Sequence, residues 1–185
     1  LGFEDDRMVV QGARRRMRTG MQDPKLRAAG QPGHPIAPPH HPQVRMNVLA
    51  DSGYFVGLFN PKDPHHRRCK AFFEGYAGVT TTTWAVFVEV GALLTHARLK
   101  AIFAWAARSQ ALGHLRIESP PADAVSALWQ MMDKYEDLPM DFCDASLVYL
   151  AMQLRIHRIA TTDVRDFSVY RLPGNKRFVH VLDAA

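Results

Sequence analysis

The chain has 185 residues, 47% of them hydrophobic and 10% aromatic, enough apolar material for the core of one domain. Its formal net charge of +5 is unevenly placed: residues 1–45 carry eight Lys and Arg against four Asp and Glu, leaving 15 basic and 14 acidic residues in 46–185 and a net of only +1 there, so the body is not a basic nucleic-acid-binding block. Cys69 and Cys143 fit no CxxC or Cys/His spacing, which argues against a disulfide framework and a structural zinc site; with no bilayer-length apolar run and no signal-peptide layout, the expectation is a soluble, cytoplasmic protein without a membrane partner.

Residues 1–45 contain Arg14-Arg15-Arg16, several glycines and a Pro/His-rich run from Gln31 to Pro42 with no hydrophobic period. Such a composition cannot bury enough surface to offset chain entropy, and it reads as a disordered basic extension. The arm either helps to bind an RNA or an acidic partner, or is an upstream segment that the domain does not need. The folded domain is expected over 46–185. Asn47-Val48-Leu49-Ala50-Asp51 reads as a short apolar strand ending in an acid, and Ser52-Gly53 breaks it ahead of Tyr54-Phe55-Val56-Gly57-Leu58-Phe59. Asp63-Pro64-His65-His66 opens an amphipathic helix to about Gly75, with Cys69, Phe72 and Phe73 inward and the two histidines facing solvent. Gly78-Val79-Thr80-Thr81-Thr82 is β-branched and predicts a second strand, with Thr82 or Thr83 capping a helix from Trp84 to about Ala97. That helix is apolar on nearly every face except at Glu89. A lone carboxylate among Phe87, Val88, Val90 and Leu93 needs a cation, a hydrogen-bonding partner or an Arg from another element.

Residues 98–112 predict an amphipathic helix carrying Leu99, Ile102, Phe103 and Ala106, Leu115-Arg116-Ile117 a brief strand, and Pro121 to Asp137 a helix with Val125, Leu128, Trp129 and Met132 inward. The stretch from Leu138 to Ala151 then delivers Asp141 and Asp144 to the start of a helix, running to Arg155, whose other residues are almost all apolar. Such a helix is buried, with its acidic end at a cleft. The two carboxylates are three residues apart, so they share one helical face, and the positive end of the helix dipole favours negative charge there. A plain N-cap at Asp141 and an ordinary first-turn acid at Asp144 is the simpler reading of the same pair. Arg158-Ile159-Ala160-Thr161-Thr162-Asp163 is again a strand ending in an acid; Val164-Arg165-Asp166-Phe167 follows, and Phe178-Val179-His180-Val181-Leu182 closes the sheet. Strands alternating with helices predict an α/β fold with a mostly parallel sheet covered on both faces.

The carboxyl ends of parallel strands converge on one edge of a sheet, so Asp51, Asp163, Asp144 and the inward-facing Glu89 are expected to meet. Carboxylates brought that close repel and raise one another's pKa unless a cation neutralises them. Oxygen-only ligation selects Mg²⁺ or Mn²⁺ over zinc, and such an ion activates water and stabilises a phosphodiester transition state.

The order Leu49-Ala50-Asp51-Ser52-Gly53, Glu89 in a Thr-Thr-Trp-x-x-x-x-Glu setting, Asp144-Ala145-Ser146-Leu147 and Thr161-Thr162-Asp163-x-x-Asp166-Phe167 resembles the PIN domain family over roughly 46–183. The resemblance implies a three-layer α/β/α sandwich and a metal-dependent endoribonuclease, similar to the VapC-like toxins of type II toxin–antitoxin pairs, that homodimerises and is inhibited by an antitoxin whose tail enters the acidic cleft. It casts Asp51, Glu89, Asp144 and Asp163 as the catalytic quartet holding Mg²⁺ or Mn²⁺, with Asp141, Thr161 and Asp166 as supporting residues around it. The arm before Met46 departs from the compact family pattern. An aspartyl phosphatase would want an acid where Gly53 stands, and a phospho-receiver would want paired acids and a late Lys. The non-enzyme alternative is a catalytically silent PIN-like module that binds RNA or a partner protein.

Overall fold

The computed structural model describes residues 46–138 and 140–183; the extension expected over 1–45 lies outside the described residues. The strands are β1 (Asn47–Ala50), β2 (Val79–Thr83), β3 (Leu115–Glu118), β4 (Arg158–Ala160) and β5 (Val179–His180). The helices are α1 (Ser52–Phe59), α2 (His66–Gly75), α3 (Trp84–Leu93), α4 (His96–Ala111), α5 (Val125–Lys134), α6 (Phe142–Leu154) and α7 (Val164–Val169), with 3₁₀ turns at Ala122–Ala124 and Pro173–Asn175. The strands form one sheet in the order β3-β2-β1-β4-β5, with every pairing parallel. The fold is an α/β/α sandwich.

Burial on both faces explains why β1 reads as an unbroken apolar run: Val48, Leu49 and Ala50 are wholly buried. The chain steps from β1 to β2 and β3 on one side, then crosses to β4 and β5 on the other, so the order reverses between β1 and β4. At such a reversal the connecting loops diverge and a crevice opens beyond the carboxyl ends of the strands. Ala50 pairs with Ala160, and the Asp51 N–H donates to the Ala160 carbonyl at 3.0 Å, which sets residues 51 and 161 side by side at that crevice.

The threonines of β2 are buried, and the hydroxyls of Thr82 and Thr83 find partners, whereas Thr81 Oγ1 has none among the described residues. Thr82 donates to the Ala50 carbonyl at 2.7 Å, tying β2 to β1. Ser146 donates to the Cys143 carbonyl at 2.7 Å, so in its 2.8 Å contact with Thr83 the threonine is the donor. The Thr83 oxygen in turn caps α3 by accepting from the Val86 N–H at 3.3 Å. This chain of hydroxyls joins the first turns of α3 and α6. Helix α3 also packs against both α1 and α6, α1 packs on α2 and α4, and α5 packs on α6.

Several inward assignments made from periodicity do not hold. Val125 is 70% and Trp129 59% exposed; α5 turns only Leu128 fully inward, while Met131 and Met132 are half-buried. The helix expected from Pro121 to Asp137 is shorter, Val125–Lys134 after a 3₁₀ turn, so its contact face is narrower than the apolar pattern. Helix α3 is likewise not enclosed: Trp84, Val88 and Leu93 are exposed. It ends at Leu93 because Leu94 turns extended and buries its side chain, and α4 restarts at His96. Phe73 and Phe103 are more than two-fifths exposed, and their rings meet Trp105 and Phe87 only at the edges. His66 is not simply a solvent residue, because its Nδ1 donates to the Gly57 carbonyl at 2.8 Å.

Phe55 is wholly buried, and its ring meets those of Tyr54, Phe87 and Trp105 at centroid distances of 5.3, 5.5 and 5.8 Å, linking α1, α3 and α4. Phe55→Ala is expected to lower stability by about 3–5 kcal/mol through lost transfer energy and a residual cavity, read as a reduced urea midpoint at unchanged slope.

Candidate metal centre

A cavity of about 290 Å³ opens at the reversal point, and Asp51, Ser52, Gly53, Glu89, Asp141, Asp144, Thr162, Asp163 and Asp166 line it. All four acids of the expected quartet therefore face one cavity, each delivered by a different element. Asp51 follows β1 and is the N-cap residue of α1, Glu89 projects from the middle of α3, Asp144 sits in the first turn of α6, and Asp163 caps α7.

The carboxylates are held to different degrees. Asp51, 5% exposed, accepts from the Thr161 hydroxyl at 2.9 Å on Oδ2 and from Ser52 at 3.4 Å on Oδ1. The Thr161 oxygen also accepts from the Asp163 N–H at 2.9 Å, so one hydroxyl fixes the spacing of two acids. Asp141 accepts from the Asp144 N–H at 2.9 Å, and Asp163 from the Asp166 N–H at 3.1 Å. The N-cap reading of Asp141 is thus correct, and the residue lines the cavity as well. Asp166 is buried against the Nε of Arg165 at 2.7 Å, and the Arg165 side chain stands 80% exposed beside it. Gly53 is required by close approach: a Cβ there would lie 2.1 Å from the Thr162 Oγ1.

Two participants were not visible in the sequence. Tyr170, wholly buried, donates its hydroxyl to Asp144 Oδ2 at 2.8 Å. It comes from just beyond α7, and its ring meets Tyr135 and Phe167; no spacing rule links a tyrosine to an acid 26 residues earlier. Cys143 fits no ligand spacing in the sequence, yet its sulfur and one oxygen each from Asp51 and Glu89 all lie within 4.8 Å of one another. Its neighbour Asp144 carried the acidic signal, while the thiol stands beside the Asp51 and Glu89 carboxylates.

Burial lifts the Asp51 carboxyl to about 6, with Thr161 opposing the rise and Glu89 adding to it. Burial likewise lifts Asp144 to about 7, Tyr170 opposing and Asp141, Asp51 and Asp163 adding. Among the described residues, no ion pair includes Asp51, Glu89, Asp144 or Asp163. Asp51 and Glu89 bring oxygens within 4.8 Å of each other, whereas Asp144 and Asp163 line the same cavity without joining that close set; carboxylates from four elements around one cavity, with no protein cation paired to them, fit a hard divalent cation.

The PIN domain family profile matches residues 48–172. The chain belongs to the PIN domain family. This PIN domain also superposes on the structure of VapC20 of Mycobacterium tuberculosis, described as a sarcin–ricin loop cleaving toxin, with a TM-score of 0.56 and 21% identity over 64% of this chain and 92% of that one. No curated protein matches the sequence. None of the described helices of the PIN domain is long and apolar enough to cross a membrane.

Two outcomes follow from the electrostatics of the site. Asp51 and Asp144 titrate above their unfolded values, so in metal-free protein they favour the folded state at low pH, and that contribution is lost as pH rises through about 6 to 7. Thermal unfolding in chelator should therefore show a melting temperature that falls from about pH 5 to about pH 8, and added Mg²⁺ should raise it most at the upper end; a flat metal-free profile with no Mg²⁺ effect would contradict the crowding. Tyr170→Phe removes one hydroxyl from a packed ring and should weaken Mg²⁺ or Mn²⁺ binding by about 10–100-fold in calorimetry, with little change in the melting temperature of metal-free protein.

Proposed function

We propose that this PIN domain is a metal-dependent endoribonuclease and the toxin of a type II toxin–antitoxin pair, with residues 46–185 forming the nuclease domain. The observation that carries the reading is the meeting of Asp51, Glu89, Asp144 and Asp163 around one cavity without a protein cation among them. Family membership supports it, and VapC20 supports RNA as the substrate class rather than any particular loop.

The four acids would hold Mg²⁺ or Mn²⁺, which when bound supplies positive charge at the scissile phosphate and a water of lowered pKa. The chain's own residues prepare that arrangement. Thr161 and Ser52 hold the two oxygens of Asp51 in fixed directions, and Tyr170 holds one oxygen of Asp144, so little reorganisation is left for the reaction. The hydroxyl of Thr162 lines the cavity beside Gly53 and is placed to donate to a phosphate oxygen. Arg165 at the rim offers an exposed guanidinium to the RNA backbone, which the acidic interior would otherwise repel. We assign no nucleophilic role to a side chain. The exposed apolar residues of α3 and α5, Trp84, Val88, Val125 and Trp129, are the kind of surface a homodimer or an antitoxin would cover.

Purified protein incubated with single-stranded and structured RNAs should cleave only when Mg²⁺ or Mn²⁺ is present. Asp51→Asn and Asp144→Asn should each lower the rate by at least about 10²-fold. The variants remove a buried charge at Asp51 and a half-buried one at Asp144, so in chelator they should melt no lower than the parent, which separates lost chemistry from lost folding. Cleavage that persists in chelator and in both variants would overturn the nuclease reading; metal and RNA binding without cleavage would favour a silent RNA-binding module.

A further inference from the structure

The oxygen donors of the cavity account for a hard cation, but they leave Cys143 unexplained. Cys143 is 7% exposed and sits in the first turn of α6, where burial and the nearby Glu89 and Asp51 carboxylates favour its protonated form. The other cysteine, Cys69, is wholly buried against Gly57 on α1, away from the acids. Three donors of mixed type, Cys143 Sγ and single oxygens of Asp51 and Glu89, lie within 4.8 Å of one another. They come from a helix start, a strand end and a second helix, so their meeting is tertiary rather than a by-product of local spacing.

A tetrahedral ion bound at about 2.0–2.3 Å from each ligand has its donors about 3.5 Å apart, so a trio already within 4.8 Å has only to draw together to share one centre. Three protein ligands would leave the fourth position to water, which suits an exchangeable ion. Sulfur is a poor ligand for Mg²⁺ and a good one for Zn²⁺ or Cd²⁺. The trio also takes Asp51 and Glu89 away from the oxygen-only arrangement, while Asp144 and Asp163 lie outside it.

We propose that Cys143, Asp51 and Glu89 form a second coordination mode of the same cavity, a mixed sulfur–oxygen site that captures a thiophilic dication such as Zn²⁺ in competition with the Mg²⁺ or Mn²⁺ of the proposed nuclease. Binding breaks the S–H bond, releases the proton to solvent and forms a metal–sulfur bond without any change in oxidation state. The inference rests on the nuclease reading for its consequence, which is that micromolar Zn²⁺ silences cleavage. It does not rest on that reading for the site.

The test is titration of the full-length protein with Cd²⁺ alone, following the ultraviolet sulfur-to-metal charge-transfer band, and with Zn²⁺ alone by calorimetry. The expected result is a band that saturates at one ion per chain, persists in Cys69→Ala and disappears in Cys143→Ala and Cys143→Ser. Zn²⁺ affinity should fall on the order of tenfold or more in both Cys143 variants, since loss of even an indirect contact to a bound metal costs about 10–100-fold. Two substitutions at this position guard against one that fails to fold. A band that is absent, or that follows Cys69, overturns the proposal. Mg²⁺-dependent RNA cleavage measured on the same preparation keeps the two readings apart: cleavage without the band leaves the nuclease and removes the mixed site, and the band without cleavage does the reverse.

Discussion

A carboxylate taken out of water at the end of the central strand is the constraint on which this structure depends. Asp51 is almost wholly enclosed, and two hydroxyls, from Thr161 and Ser52, are what it receives in place of solvent. Neither neutralises it. The neighbouring acids make its ionised form still less favourable, so the domain stores a demand for positive charge where β1 and β4 part. The rest of the architecture serves to keep that demand in place. The hydroxyl chain from Thr83 through Ser146 to the Cys143 carbonyl fixes the helix carrying Glu89 against the helix carrying Asp144, and Tyr170 reaches back to Asp144 from the far side.

The parts of this arrangement that follow from chain periodicity were legible in the sequence. Asn47–Asp51 and Arg158–Asp163 announce themselves as apolar strands closed by an acid, and the helix after Asp141 is too apolar to be exposed. The parallel sheet and the edge at which the acids gather follow from those signals, and the resemblance to the family draws on the same residues. Glu89 was conspicuous because a lone charge in an apolar helix has few ways to be stable.

What was illegible has two causes. Apolar periodicity says which residues prefer burial and not which find a partner; Trp129, Val125 and Phe103 still meet solvent, because no described element packs fully over them. Tyr170 and Cys143 failed to stand out for the opposite reason. Their contribution lies wholly in contacts made across the fold, Tyr170 with an acid 26 positions earlier and Cys143 with acids on two other elements. A tyrosine at the end of a short helix and a cysteine without a matching ligand pattern carry no local signal of such contacts.

The approach of Gly53 to Thr162 reaches beyond the site itself. Gly53 lies in the first turn of the helix that follows β1 and Thr162 in the loop that leaves the neighbouring β4, and a Cβ on residue 53 would overlap the Thr162 hydroxyl. Substitution at the two positions is consequently coupled: a side chain at 53 is accommodated only if the Thr162 hydroxyl turns away or is removed, so the first change displaces a group that lines the cavity.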